Sequence, residues 1–206
     1  MEFAPLANRC IAFAPMDKNI KASFDNSDGN SGETPDFLPD QSIVLVGLMG
    51  VGKTTVGRRL AKRLSLGFVD ADEEIERAAG LSVEEIFDRF GEAYFRDGER
   101  RVIARLLEGE RQVIATGGGA FMNDETRALI LEKATAIWLD ADLDTLVKRV
   151  GRRDTRPLLR SGDPAKILAD LAIARNPVYA TAHIHVMGND SPHETTVENI
   201  IEALQR

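Results

Sequence analysis

The chain has 206 residues, of which 43% are hydrophobic and 29% are charged, so it is long enough for a domain with a sizeable core. Its net charge of −7 argues against a general nucleic-acid-binding protein, and no apolar run approaches the roughly 18 residues that a membrane span needs. The single cysteine, Cys10, cannot form an internal disulfide, which fits a reducing cytoplasm.

The first forty residues differ in composition from the rest of the chain. Residues 25–39 are rich in Asp, Asn, Ser, Gly and Pro and show neither a helical nor a strand period. The segment lacks the basic start of a signal peptide, and it is too acidic for a transit peptide. We therefore predict that residues 1–40 are a disordered tail and that the folded domain spans residues 41–206.

A strand, a glycine-rich loop and a helix are predicted at the start of this domain. Residues 42–46 are apolar and β-branched, and residues 56–65 carry apolar side chains at a helical period. Between them, residues 47–55 read GLMGVGKTT and match the phosphate-loop pattern G-x-x-x-x-G-K-[ST] at every fixed position. This context predicts a nucleoside triphosphate site, with Lys53 near the β- and γ-phosphates and the Thr54 hydroxyl on Mg²⁺.

Strands and helices alternate along the remainder of the chain. Further strands are predicted at residues 67–70, 112–116, 134–139 and 184–187, and helices at residues 72–90 (broken near Gly80), 92–108, 124–133, 143–150, 164–175 and 195–205. The Asn176-Pro177 pair predicts the end of the helix at residues 164–175. This alternation is typical of an α/β fold with a doubly wound sheet of about five parallel strands and helices on both faces. Ligands of such sheets bind at the carboxyl ends of the strands.

An acidic cluster, Asp70-Ala71-Asp72, follows the second predicted strand. In an extended segment Asp70 and Asp72 point the same way, which suggests a metal contact and a base for a substrate hydroxyl. A helix N-cap followed by an acidic first turn is the alternative interpretation, because Glu73 and Glu74 come next.

Two further features suggest a cleft for an anionic substrate. Arg96 shares a helix face with Glu99, so it either clamps a carboxylate or forms a solvated salt bridge. Gly117-Gly118-Gly119 follows a strand, which favours a chain that passes close to a ligand over a merely strained turn.

An arginine-rich segment, residues 151–162, predicts a mobile lid. It contains Arg156-Pro157-Leu158-Leu159, and apolar residues are unusual in a loop that is simply solvated. Such a lid would exclude water and bring an arginine to the transferring phosphoryl group. Arg175 is a candidate for a second arginine in the cleft.

Taken together, these motifs resemble the shikimate kinases, small phosphate-loop kinases of aromatic amino-acid biosynthesis. The resemblance covers residues 41–206 and rests on motifs that occur in the family's order: GLMGVGKTT, Asp70-Ala71-Asp72, Gly91-Glu92 with Phe95-Arg96, Gly117–Gly119, Arg156-Pro157-Leu158-Leu159, and Arg175 with Asn176-Pro177 and Tyr179. It implies Mg²⁺-dependent transfer of the ATP γ-phosphoryl group to the 3-hydroxyl of shikimate.

The resemblance also implies a role for each matching residue. Asp72 would bind shikimate hydroxyls and act as the base, Lys53 and Arg156 would contact the transferring phosphate, and Glu99 would orient Arg96. The shikimate-binding residues would be Asp72, Arg96, Gly118, Gly119 and Arg175. The ATP-binding residues would be Gly50, Val51, Gly52, Lys53, Thr54, Thr55, Arg149 and Arg156, with residues 189–192 as the adenine loop. Thr54 and Asp70 would hold Mg²⁺.

Three other interpretations remain open on the residues alone. The chain could be another small-metabolite kinase, such as a gluconate kinase, because the cleft arginines favour any acidic substrate. It could be a nucleotide-binding regulator without catalysis, or the arginine segment could bind nucleic acid, although no aromatic residues are interleaved with it. Nothing in the sequence requires more than a monomer.

Overall fold

A computed structural model of the chain describes residues 39–151, 163–188 and 192–206. Its strands are β1 (Ser42–Val46), β2 (Gly67–Asp70), β3 (Gln112–Ala115), β4 (Ala134–Asp140) and β5 (Ile184–Met187). They form one sheet in the order β2-β3-β1-β4-β5, and every pairing is parallel. The parallel α/β sheet predicted from the alternation of elements is therefore confirmed.

Helices cover both faces of this sheet. Within the described ranges they are α1 (Lys53–Leu64), α2 (Ala71–Ala79), α3 (Val83–Leu107), α4 (Asp124–Lys133), α5 (Leu143–Val150), α6 (Pro164–Tyr179) and α7 (His193–Leu204). A 3₁₀ turn spans Ala120–Met122. None of the helices within the described ranges is both long and apolar enough to span a bilayer.

The central strand β1 explains where the functional groups meet. All five of its residues are buried, as expected for a strand with neighbours on both edges and helices on both faces. Val44 lies level with Ile114 of β3 and Ala136 of β4, and β3 is paired with β2 on its other edge. The loops that follow β1, β2 and β3 consequently emerge side by side at one edge of the sheet.

The predicted break at Asn176-Pro177 is wrong, because α6 continues through Pro177 to Tyr179. Pro177 lies in the last turn, where the missing N–H costs a single hydrogen bond to the carbonyl of Ile173. The helix that follows the phosphate loop also begins earlier than predicted, at Lys53, directly after Gly52.

The break near Gly80 and a second interruption at Gly91 divide the α2–α3 region. Gly80 ends α2 in the left-handed conformation, and Ser82 and Glu85 form the capping box that starts α3. Gly91 has φ 80° and ψ 173°, a region that only glycine occupies readily, and it interrupts α3. No atom lies within 4 Å of the position that a Cβ at Gly91 would take. The backbone angles, and not lack of space, therefore require glycine there.

Two predicted segments fall outside the described residues. The first is the N-terminal tail, residues 1–40, of which only Pro39 and Asp40 are described. The second is the lid, residues 151–162, of which only Gly151 is described, so that Arg156 lies outside.

Candidate active site

The phosphate loop connects β1 to α1 and holds the lysine of the motif in place. The Lys53 ammonium donates hydrogen bonds to the carbonyl oxygens of Gly47, at 2.7 Å, and Leu48, at 2.9 Å. Lys53 is only 8% exposed, so its charge is fixed inside the curve of the loop. The first amides of α1 follow at once, and with the helix dipole they form the positive end that favours phosphate.

Two oxygen ligands suited to a magnesium ion meet beside this loop. The Thr54 hydroxyl donates a 2.7 Å hydrogen bond to Oδ2 of Asp70, the last residue of β2. A hydroxyl and a carboxylate are hard oxygen donors, which Mg²⁺ prefers, with water and phosphate oxygens completing its shell. The donor set therefore fits the predicted ion, although no cluster of three or more acidic, His or Cys ligands occurs in the described ranges.

The geometry of the acidic cluster differs from the extended segment that we predicted. Asp70 ends β2 and caps α2, accepting a 3.1 Å hydrogen bond from the Asp72 amide, while Asp72 lies in the first helical turn. The N-cap interpretation is thus correct for Asp70. The same side chain also accepts from Thr54, so capping does not remove it from the site.

Asp72 is the most perturbed carboxyl group beside the phosphate loop. Burial, reinforced by the charge of Asp70, raises the pKa of Asp72 to about 6, although Lys53 and Arg96 both act to lower it. A carboxylate with such a pKa is still ionised at neutral pH and is a better proton acceptor than an exposed aspartate. Its environment therefore suits a general base.

Arg96 and Glu99 form a half-buried ion pair on α3. Arg96 Nη1 lies 2.7 Å from Glu99 Oε2, and the exposed fractions of the two side chains are 27% and 3%. Glu92 contacts the same guanidinium from the preceding turn at 3.2 Å. Burial raises the pKa of Glu99, and its Oε1 is buried without a hydrogen-bond partner in the described part of the chain. The pair is therefore not the solvated surface bridge that was the alternative interpretation.

The three-glycine turn after β3 leaves room for these charged side chains. A Cβ at Gly117 would lie 2.7 Å from Asp72 Oδ1 and 3.0 Å from Glu99 Oε1, and a Cβ at Gly119 would lie 2.5 Å from Arg96 Nη2. None of the three glycines has a positive φ. Close approach of the charged groups, and not backbone strain, therefore explains Gly117 and Gly119, whereas a Cβ at Gly118 would meet only ordinary contacts, the nearest at 3.5 Å from the Met49 amide nitrogen.

The end of α6 is attached to the same turn. Arg175 Nη1 donates to the Gly118 carbonyl at 3.0 Å, and the Tyr179 hydroxyl donates a short hydrogen bond to the same oxygen. Burial raises the pKa of Tyr179 to about 12, so its hydroxyl keeps its proton. Arg175 and Tyr179 are four residues apart, so they share a helix face. This spacing is the sequence signal that could have predicted a contact of Tyr179 with the same turn.

A cavity of about 260 Å³ opens where α3, the glycine turn and α6 meet. Its lining combines the two arginines with polar and apolar groups: Glu92, Arg96, Gly119, Met122, Asn123 and Arg175. Glu92, Met122 and Asn123 had no predicted role. Two guanidinium groups at one cavity are suited to a carboxylate ligand.

The remaining candidate nucleotide residues lie on the other side of the phosphate loop. Arg149, at the end of α5, has Nη1 within 3.4 Å of the Val51 carbonyl oxygen. Gly50, Val51, Gly52, Thr54 and Thr55 belong to the loop and to the start of α1. Of the predicted adenine loop only Pro192 is described, and Arg156 is outside the described ranges.

A phosphate loop and a cationic acceptor cavity, both at the carboxyl edge of a parallel sheet, define a phosphate-loop kinase that acts on a small anionic metabolite. The comparisons with known proteins give the family. The family model for shikimate kinase matches residues 49–205. The chain belongs to the shikimate kinase family, and it is a transferase that uses ATP as co-substrate.

Relatives and a solved structure support the same family assignment. The shikimate kinase of Caulobacter vibrioides is 60% identical over 169 residues, which cover 82% of this chain and 84% of that protein. The shikimate kinase of Novosphingobium aromaticivorans is 58% identical over 80% of this chain and 87% of its own length. A solved structure of the Acinetobacter baumannii enzyme in complex with shikimate matches with a TM-score of 0.77 and 36% identity, over 80% of this chain and 92% of that one.

Proposed function

We propose that the described cleft transfers the γ-phosphoryl group of ATP to the 3-hydroxyl of shikimate, with Asp72 as the base. One observation carries the assignment of residues. Asp72, Arg96 and Arg175 come from three different helices, and all three lie against the same glycine turn, beside the phosphate loop. The products are shikimate 3-phosphate and ADP.

The acceptor cavity binds shikimate through its carboxylate. Arg96 and Arg175 line the cavity, and a pair of guanidinium groups can hold one carboxylate by several charge-assisted hydrogen bonds. Glu99 keeps Arg96 in place, since the two are joined at 2.7 Å and Glu99 is almost completely buried. Gly118 and Gly119 line the substrate, where the absence of side chains lets the ring come close.

Asp72 receives the proton of the attacking hydroxyl. As the oxygen–phosphorus bond forms, the proton of the 3-hydroxyl passes to the Asp72 carboxylate and the bond to the β-phosphate oxygen breaks, releasing ADP. Burial beside Asp70 raises the pKa of Asp72 to about 6, which makes it a stronger acceptor at neutral pH than a solvated aspartate. Lys53, held at the centre of the loop, neutralises charge on the β- and γ-phosphates.

Thr54 and Asp70 would hold the magnesium ion, whose charge neutralises that of the phosphates. Both side chains already contact one another at 2.7 Å and present oxygen atoms only. We further propose that Arg156 contacts the transferring phosphate and that Arg149 packs on adenine, assignments that rest on the family's motif positions. We expect a monomer that acts in the cytoplasm.

The test is ADP release from purified full-length protein with MgATP and shikimate, compared with gluconate and other small hydroxy acids. A saturable increase with shikimate alone supports the proposal. An increase with gluconate and none with shikimate would overturn the acceptor assignment.

The residue assignment needs a matched pair of variants. Arg175→Lys keeps the positive charge but removes the planar fork, and Arg58→Lys makes the same change at an exposed ion pair with Glu73 on the protein surface. We expect the KM for shikimate to rise only in the first. Equal KM values would contradict the carboxylate clamp.

A further inference from the structure

One histidine, His193, lies against the phosphate loop and has no part in the mechanism above. It is the first residue of α7. Its ring atoms Cε1 and Nδ1 lie 3.3 Å and 3.7 Å from the position that a Cβ at Gly52 would take. Gly52 is the loop residue directly before Lys53, so an imidazole ring packs on the backbone that leads into the phosphate-binding turn.

The charged groups around this ring come from three helices. Arg149 of α5 and Arg59 of α1 act on His193 as like charges, and Glu194 of α7 opposes them. Arg59 is itself paired with Glu194 at 2.7 Å. Burial, together with the two arginines, lowers the pKa of His193, so the ring is neutral at neutral pH while no polyanion is near.

The side chains of the other two histidines of the chain contact strand β4, near the β4–β5 edge of the sheet. His183 Nδ1 accepts a 3.0 Å hydrogen bond from the Ala136 amide. His185 stacks on Trp138 at 4.0 Å between ring centroids and lies 3.2 Å from Asp140. By contrast, no hydrogen bond joins either ring nitrogen of His193 to another of the described residues.

We propose that His193 is a nucleotide-contacting residue, whose imidazole lines the ATP site beside Gly52 and Arg149 and hydrogen-bonds to the bound nucleotide. The inference rests on the proposed function, because it needs ATP in the phosphate loop. An incoming triphosphate replaces a locally cationic environment by an anionic one, and this favours the imidazolium form. Binding therefore takes up a proton from solvent at mildly acidic pH.

The experiment follows the three histidine Cε1–H signals by NMR as the pH is varied, with and without MgADP, in the full-length protein. The signals are assigned with His183→Gln, His185→Gln and His193→Gln. We expect MgADP to move the titration of His193 to higher pH and to leave that of His185 in place. Unchanged titration of His193 in the presence of bound MgADP would overturn the proposal.

Calorimetry on the same variants separates this inference from the proposed function. We expect His193→Gln to weaken MgADP binding about tenfold at about pH 6 and less at about pH 8, because one charge-assisted hydrogen bond is lost. His185→Gln serves as the control and should bind like the unaltered protein. Equal affinity of His193→Gln and the unaltered protein at both pH values would overturn the role of His193 alone. Failure of the unaltered protein to bind MgADP would overturn both.

Discussion

The nucleotide side and the acceptor side of the cleft hold their functional groups by different means. On the nucleotide side, Lys53 is fixed by two backbone carbonyls within its own loop, and the amides of the first turn of α1 follow directly after it. On the acceptor side, side chains from three helices hold one another around a turn without side chains.

This difference predicts unequal sensitivity to substitution. A loop that is fixed by hydrogen bonds from its own lysine to its own backbone carbonyls should tolerate changes in the rest of the molecule. A cluster of buried charges does not, because removal of one charge leaves its partner unpaired at low dielectric. Substitutions on the acceptor side should therefore change shikimate binding and turnover while ATP binding persists.

The largest effect is expected from Asp72→Asn. An amide cannot accept the hydroxyl proton, so kcat should fall about a thousandfold while MgADP still binds. Steady-state kinetics and calorimetry measure the two quantities. Turnover within about twofold of the unaltered enzyme would remove Asp72 as the base.

Arg175→Ala should raise the KM for shikimate about a hundredfold, since a charged contact to the carboxylate and a hydrogen bond to Gly118 are lost together. The KM for ATP should change much less. A similar rise in both KM values would show that Arg175 acts on the whole cleft and not on the acceptor, and would break the division into two sides.

Gly119→Ala tests whether the guanidinium group of Arg96 needs a glycine at position 119 to occupy its place in the cavity. The added Cβ would meet the guanidinium group, which can swing away, so we expect a folded protein with a KM for shikimate raised about thirtyfold. Gly67→Ala is the matched control, because its nearest neighbour would be the Cβ of Gln112 at 3.6 Å. Unaltered shikimate binding in Gly119→Ala would contradict the close approach.

The pH dependence of kcat/KM for shikimate should report the ionisation of Asp72. We expect a loss of about tenfold per pH unit as the pH falls below about 6, because protonated Asp72 cannot act as a base. A flat profile down to about pH 5 would contradict the raised pKa.

The same ionisation affects the stability of the fold. Lower pH should decrease kcat/KM, but it should increase the contribution of Asp72 to stability. The pKa of Asp72 in the folded chain, about 6, lies above the 3.8 of an ordinary aspartate, so the folded state binds more protons between these values. The contribution of Asp72 to the free energy of unfolding therefore decreases as the pH rises from about 4 to about 6. Chemical denaturation of the unaltered chain and Asp72→Asn in parallel should show a larger loss in the unaltered chain, because Glu99, whose pKa is also raised by burial, contributes a loss of the same sign to both.

The smallest effect is expected from Tyr179→Phe. It removes one of two hydrogen bonds to the Gly118 carbonyl and should lower the free energy of unfolding by about 1 kcal/mol. The remaining bond from Arg175 keeps the turn in place, so kcat should change less than threefold. Chemical denaturation measures this change. An unchanged free energy of unfolding in Tyr179→Phe would show that the hydroxyl does not hold the turn.

The phosphate loop was predictable from sequence because its parts are adjacent in the chain. The motif at residues 47–55 contains both the loop and the helix start, and the structure differs only in where α1 begins. The sheet was predictable for a similar reason, since apolar strands alternate with helices of ordinary length. The end of α6 was predicted wrongly because a local rule about proline ignores its position in the last turn.

The acceptor side was harder to predict because its contacts join distant segments. Residue type made Arg96, Asp72 and Arg175 candidates for this side of the cleft. No pattern indicated that a side chain at Gly117 would collide with both Asp72 and Glu99. The expected extended form of Asp70-Ala71-Asp72 was wrong, since the helix starts one residue after Asp70. His193 was missed because the fold alone brings α7 against the phosphate loop.

The interruption at Gly91 has a consequence for the time dependence of amide hydrogen exchange. A residue at φ 80° and ψ 173° interrupts the ladder of backbone hydrogen bonds, so we expect α3 to open as two units. Residues 83–90 carry few buried side chains, whereas residues 92–107 contain Phe95, Val102 and Ile103 of the core. Deuterium should therefore enter residues 83–90 well before residues 92–107, with the boundary at Gly91.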